Sequence, residues 1–390
     1  MNDPPFASYL RLLTMLALLA MTGSLFSCPA WAHTGHHQAI EPMGPLNSPQ
    51  PPAEALSACS NKPHGASCTV NTPHGRLTGI CLQPPGLSSW ACVPNQAQQG
   101  GRQGRQGSRP PLRQHTIVQS HGIKHLYPAL AEPVTETHCT ATIEGPWRVI
   151  RANGIAEHKT GRFPNPGNPN RIGVQHIVMR VPAQPVLTDT ATPVKEPGVA
   201  VNGVIFDPGA AEFYKGDPTL GWQYEALSGA LPLGFDESHA HVQPTGKYHY
   251  HGLPTLLMAN LKVQADHHSP QVGWAADGFP IYALYGFSDP NNPKSEVVEM
   301  TTSYQLKPGK RPTANGQPGG RYDGTFTADY TYTAGAGSLD ECNGTWTVTP
   351  DHPEGTYAYF LTRHYPFVPR CVKGQIDPTM VAPPIGITHH

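Results

Sequence analysis

Thirteen residues constrain this chain more than any others: His239-Ala240-His241-Val242-Gln243-Pro244-Thr245-Gly246-Lys247-Tyr248-His249-Tyr250-His251. Two His-x-His pairs flank a Gln-Pro-Thr-Gly turn. Proline suits the second position of a type I turn, and glycine suits the left-handed residue that follows it. The expectation is a β-hairpin with a three-residue loop, Pro244-Thr245-Gly246. Gln243 then faces Lys247, His241 faces His249 and His239 faces His251. Residues two apart in a strand share a face, so all four imidazoles project from one side. Tyr248 and Tyr250 project from the other, with Ala240 and Val242.

Opposed Cβ atoms in such a pair lie about 4.5–5.5 Å apart. That places several imidazole nitrogens within reach of one ion. Histidine is the commonest metal ligand among side chains. An all-nitrogen set suits Zn²⁺ or copper and fits Ca²⁺ or Mg²⁺ poorly. His239, His241, His249 and His251 are therefore the expected ligands of one zinc or copper ion. The competing readings are a surface histidine patch and stacked histidines satisfied by hydrogen bonds.

The rest of the chain fits a β architecture. Of 390 residues, 40 are glycine and 44 proline, too many turn-formers for a helical bundle. Stretches 173–181, 198–206, 330–333, 344–349 and 355–362 read as strands, separated by turn residues. Only 222–227 and Thr255 to Lys262 read as helices. The expected fold is mainly β: an antiparallel, sandwich-like domain over 115–375 with few short helices, plus a small disulfide-stapled module before it. The formal net charge of −1 supplies no field that would attract nucleic acid.

Residues 1–32 read as an export signal. Arg11 precedes an apolar run from Leu12 to Phe26, and Ala30-Trp31-Ala32 offers a cleavage site. Leu25-Phe26-Ser27-Cys28 is the rival, a lipobox that would anchor the chain through lipidated Cys28. Both readings place the protein in the periplasm or at the cell surface, where cysteines pair. No later apolar stretch is long enough for a membrane span.

Residues 33–58 read as a Pro-rich spacer and 95–114 as a Gln/Gly/Arg linker, with Arg102, Arg105, Arg109 and Arg113. Between them, Cys59, Cys68, Cys81 and Cys92 imply two disulfides in a module too small for a core of its own. Three connectivities are open. A zinc site is disfavoured because there is no CxxC pair. Cys342 and Cys371 are expected to form a third disulfide, which leaves Cys139 as the odd cysteine. Residues 376–390 read as a tail ending in His389 and His390.

The Tyr248-His249-Tyr250-His251 run resembles the signature of the YHYH domain family. Other stretches are similar to that family as well: Val201-Asn202-Gly203-Val204, Gly273 to Tyr282, Leu339-Asp340-Glu341-Cys342-Asn343-Gly344, Gly355 to Phe360, and Pro369-Arg370-Cys371. The resemblance implies one domain over roughly 140 to 375. It carries over no ligand assignment. Where members often show Gly-His beside the first strand, this chain has His239-Ala240-His241.

Carboxylates near these motifs are candidate auxiliary groups. Asp277 could orient a ligand histidine or act as a general base, and the alternative is an Asp-Gly turn. Asp236 and Glu237 could complete a metal sphere or cap the first strand, with Glu237 a second candidate base. Glu225 and Asp340 are weaker. His33, as a mature N-terminus near His36 and His37, offers a copper-chelating terminus or a metal-capture tail. No GxSxG, P-loop or GxGxxG is present, so hydrolase-elbow, NTPase and Rossmann chemistries lack support. The expected function is exported metal binding. The alternatives are a metalloenzyme on the same histidines (a zinc hydrolase or a copper oxidoreductase) and a non-catalytic adhesion or scaffold module.

Overall fold

The structure is a computed structural model, and it describes residues 53–63, 65–72, 75–83, 90–94 and 115–377. The stretch read as an export signal, with Cys28, the histidines at 33, 36 and 37, the arginines at 102, 105, 109 and 113 and the last two histidines all lie outside the described residues. The chain divides into two compact units, one within 31–115 and one running from 116 onward.

In the first unit, helix α1 (Ala53–Ser57) precedes three antiparallel strands, β1 (Ser67–Thr72), β2 (Gly75–Leu82) and β3 (Ala91–Pro94). Disulfides join Cys59 to Cys81 and Cys68 to Cys92. The four cysteines, with Ala55 and Val70, are the buried centre. Sulfur bridges thus stand in for the apolar core that so short a unit lacks. Burial of Ala55 brings α1, within the stretch read as spacer, into the module.

The second unit is built around one eight-stranded sheet. Before it come β4 (Cys139–Glu144), β5 (Trp147–Ala152), β6 (Ile177–Pro182) and β7 (Leu187–Pro193). Strands β4, β5 and β6 form an antiparallel sheet of their own. The main sheet then uses β8 (Gly198–Ala200), β9 (Ile205–Phe206), β10 (Ala240–Val242), β11 (Tyr248–Tyr250), β12 (Gly273–Ala275) and β13 (Pro280–Ala283). Pairs β14 (Tyr285–Phe287) with β15 (Val297–Glu299), and β16 (Tyr304–Leu306) with β17 (Tyr330–Tyr332), lie outside it. Strands β18 (Gly344–Thr347) and β19 (Thr356–Leu361) complete it, and β20 (Cys371–Gly374) pairs with β7.

The order across the main sheet is β10-β11-β9-β8-β12-β13-β19-β18, so the histidine hairpin forms one edge. The sheet is mixed rather than antiparallel throughout, because β9 and β11, and β13 and β19, run parallel. Val199 and Ile205 on one face pack against Ile150, Met179 and Val181 of the smaller sheet, the sandwich-like contact. The other face carries Phe206, Tyr248, Tyr250, Ile281 and Tyr359 into the largest apolar cluster.

Helix α2 (Thr255–Asn260) falls where the sequence predicts one, with Leu257 and Met258 buried. The helix expected over 222–227 is absent. Gln223 and Tyr224 instead make isolated bridges to Phe213 and Phe326, and a single 3₁₀ turn follows at Ala226–Ser228. Trp222, Tyr224 and Phe326 bury their rings together, and that packing overrides a weak local helix preference. The stretch 198–206 is two strands rather than one, folded back at Val201–Gly203, where Gly203 has φ +84°. Cys342 and Cys371 are bridged, tying the segment before β18 to β20. Cys139 stands at the start of β4, outside the three disulfides.

Candidate metal centre on the edge hairpin

The hairpin has the register its turn chemistry predicts: Ala240 opposite Tyr250, His241 opposite His249, Val242 opposite Tyr248. Gly246 has φ +87° and donates its N–H to the Gln243 carbonyl at 2.8 Å, closing the loop.

Three of the four histidines converge. Nε2 of His251 lies 2.8 Å from Nε2 of His249 and 3.1 Å from Nε2 of His241. The ring centroids are 4.7–4.8 Å apart. His249 and His251 are buried and His241 is partly exposed. Phe235 stacks on His241 at 4.7 Å and meets His251 edge-on.

Backbone carbonyls fix the tautomers of two rings. Nδ1 of His241 lies 2.9 Å from the Leu233 carbonyl, and Nδ1 of His249 lies 3.1 Å from that of Lys247. A carbonyl only accepts, so each Nδ1 carries the proton and each neutral Nε2 presents a lone pair. Nδ1 of buried His251 has no hydrogen-bond partner. If His251 carries its proton on Nε2, that N–H serves one neighbour and leaves the other lone pair unmet. If it carries the proton on Nδ1, three lone pairs face one another. Neither tautomer satisfies the trio with protein groups alone.

Burial also holds all three rings neutral. It lowers the His241 imidazolium to about 4 and drives His249 and His251 well below the ordinary histidine value, with the neighbouring imidazoles adding to the effect on the latter two.

His239 is not brought into this cluster. Its backbone is left-handed, φ +51°, and its Nδ1 lies 2.9 Å from the Leu253 carbonyl. The cause is the turn before β10. The buried Asp236 carboxylate accepts from the backbone N–H of Ser238 and Ala240, and His239 N–H donates to the Asp236 carbonyl. This tight turn departs from the strand geometry that would put His239 and His241 on one face. Its carbonyl still pairs with His251 N–H at 2.9 Å, so the ladder continues while the side chain leaves.

The two tyrosines anchor the hairpin from behind. Tyr248 donates its hydroxyl to Asp236 at 2.7 Å. Nδ1 of His158 lies 2.7 Å from the Lys159 carbonyl, so Nε2 accepts from the Tyr250 hydroxyl at 2.7 Å, while Asn202 donates to that hydroxyl at 2.9 Å. The alternation Tyr-His-Tyr-His therefore divides its labour by face: tyrosines to buried hydrogen bonds, histidines to the cluster.

The structure does not bring the remaining candidates into the three-histidine cluster. Asp277 sits in the β12–β13 turn, fully buried, and accepts from the Tyr359 hydroxyl at 2.6 Å and Gly374 N–H at 2.8 Å. Glu237 is exposed and accepts from Ala129 N–H. Asp340 accepts from Cys342 and Gly344 N–H and from the Tyr357 hydroxyl, which fixes the turn into β18. Glu225 is buried 3.8 Å from Arg370, and desolvation pushes its carboxyl up to about 7. The Cys59, Cys68 and Cys92 sulfurs lie close enough together for a metal, but all three are spent in disulfides.

Sequence reasoning missed His158, Phe235 and the carbonyls of Leu233 and Lys247. A carbonyl leaves no trace in residue identity. Asn202 and Arg370 had a signal, since both lie in stretches that resemble the family.

A family model described as YHYH protein matches residues 178–374. The chain belongs to the YHYH family. The match spans all eight strands of the main sheet and both disulfide-linked cysteines of the C-terminal part. No curated protein and no solved structure matched the chain. Within this YHYH domain, the stretches that resemble the family run from beside the hairpin to the opposite edge of the main sheet. Asn202 holds Tyr250, and the Gly273 to Tyr282 stretch supplies β12, the Asp277 turn and most of β13.

Proposed function

We propose that this YHYH protein is an exported metal-binding protein that holds one zinc or copper ion on His241, His249 and His251. The observation that carries the reading is the convergence of three Nε2 atoms, with carbonyls fixing two of them as lone-pair donors. A cation satisfies three facing lone pairs at once, which no tautomer does. At Zn–N bonds of about 2.0–2.1 Å, tetrahedral nitrogens lie roughly 3.4 Å apart, so the 2.8 and 3.1 Å pairs need to open by only a few tenths of an ångström. Carbonyl partners on Nδ1 are the usual device for aiming a ligand imidazole. The disulfides and the sequence of residues 1–32 support export.

A second reading, a metalloenzyme on the same ligands, draws support from two features. Three protein ligands leave a coordination position open. A cleft of about 300 Å³ also reaches the walls of the cluster, since Leu233 and Phe235 line it. No carboxylate lines that cleft, so neither Asp277 nor Glu237 is placed there to act as a general base; Lys124, His125 and Tyr127 are the titratable groups that line it.

The test is elemental analysis of the protein purified from its native compartment without a nickel column, beside the variant with His241, His249 and His251 all changed to alanine. About one copper or zinc per chain, lost in the variant, is the expected result. No metal in either protein after reconstitution would overturn the proposal and favour the adhesion or scaffold reading.

A further inference from the structure

A second concave feature lies toward the other end of the main sheet. The strand order places β18 at the edge opposite the histidine hairpin. Beside it is a cleft of about 360 Å³, within the roughly 300–1,000 Å³ range of small-ligand sites. Two tryptophans line it: Trp274 of β12, half-buried, and Trp346 of β18, which is 51% exposed. Trp346 thus leaves about half of its surface open to a ligand.

Trp346 is held as a platform. A Cβ built on Gly355 would lie 3.0–3.2 Å from three atoms of the Trp346 indole, so glycine is what lets the ring lie against the chain there. Gly355 also has φ +93°, where other side chains are strained. The Arg148 guanidinium lies 5.9 Å from the Trp274 ring centroid and lines the same cleft. The same cleft is lined by hydrogen-bonding groups: Gln184, Gln271, His352 and Glu354.

This lining narrows the ligand. An aliphatic ligand would strand the amides and the carboxylate without partners. A nucleotide or other polyanion needs several cations, but the lining has one arginine, offset by Glu354. A neutral ligand with a flat apolar face and a rim of hydroxyls meets every feature. Pyranose rings have that form: axial C–H groups pack on an indole, and equatorial hydroxyls reach amides and carboxylates. We infer that the Trp274–Trp346 cleft binds a neutral oligosaccharide, stacking sugar rings on the indoles. This assignment is independent of the metal site.

The test uses the full chain and four probes, chitohexaose, cellohexaose, xylohexaose and maltohexaose, with adenosine monophosphate as the anionic comparison. Binding is followed by tryptophan fluorescence and calorimetry. Trp346→Ala and Gln184→Ala each remove an exposed side chain, so both variants are expected to fold. The expected result is saturable binding of at least one saccharide, weakened about tenfold or more by Trp346→Ala, a typical cost for truncating an anchoring tryptophan. Gln184→Ala is expected to weaken it less. The metal content of both variants is expected to match wild type. No binding of any of the four at millimolar concentration, equal binding by Trp346→Ala, or tighter binding of the nucleotide would each overturn the inference.

Discussion

The Tyr248 hydroxyl donates to the Asp236 carboxylate at 2.7 Å, tying the back of the hairpin to the turn that precedes it. Asp236 is fully buried and also accepts from three backbone N–H groups, of Gly161, Ser238 and Ala240. Burial raises its pKa while these donors oppose the rise. One carboxylate thus sets the turn, the register of β10 and the placing of β11, on which His241 and His249 both depend.

Tyr248→Phe removes one donor from a buried carboxylate and leaves the ring's packing in place. A hydrogen bond to a charged group contributes about 1.5–3 kcal/mol, and a loss in that range is expected in chemical denaturation. Metal affinity should fall as well, because the turn that places His241 loosens. Unchanged stability would mean that the other donors to Asp236 compensate fully.

His239 and His249 should separate cleanly. His239→Ala is expected to keep metal at the wild-type stoichiometry, because its imidazole points to the Leu253 carbonyl and not to the cluster. His249→Ala removes one of the three converging nitrogens and should lower affinity by an order of magnitude or more. Equilibrium dialysis against zinc and copper reads both. Loss of metal in His239→Ala would restore a four-histidine site.

The sequence made the hairpin legible because turn chemistry and period-two alternation act locally. Pro244 and Gly246 determine the loop, and the loop determines which residues face each other. The exclusion of His239 was not legible. It follows from a carboxylate three residues earlier whose other partners, Gly161 and Tyr248, come from elsewhere in the chain. The 222–227 segment failed for a similar reason, since Tyr224 and Phe326 meet across about a hundred residues. The parallel pairings of β9 with β11 and β13 with β19 rest on long connections that no local pattern reports. The disulfide module was readable as a unit, but its connectivity was not, because cysteine spacing permits three pairings.

Asp277→Ala should behave as a structural lesion. It leaves the buried Tyr359 hydroxyl and Gly374 N–H without their shared acceptor, at a cost of about 1–3 kcal/mol. Metal content in the folded fraction is expected to stay at wild type. Thermal unfolding with elemental analysis checks both. Lost metal binding without lost stability would return Asp277 to the site.

Metal-free protein should weaken in mild acid, and the sign follows from which state binds protons. An unfolded histidine titrates near 6.5, whereas burial holds folded His241 at about 4 and the other two well below their ordinary value. Between pH 6.5 and about 4 the unfolded chain therefore binds more protons, and stability falls as pH drops through that window. Glu225 acts in the opposite sense. Its folded carboxyl is held up to about 7 against an ordinary 4.5, so its contribution is present below 4.5 and lost as pH rises through 7. The two effects overlap and partly offset in wild type. Denaturation midpoints at several pH values, for wild type, the triple-alanine variant and Glu225→Gln, resolve them. The triple variant should lose the acid sensitivity of the cluster. Glu225→Gln should deepen wild type's decline toward acid between pH 7 and 4.5, the window in which the folded carboxyl holds a proton that the unfolded one has lost. A triple variant with the same acid slope as wild type would show that the three imidazoles are not held neutral by the fold.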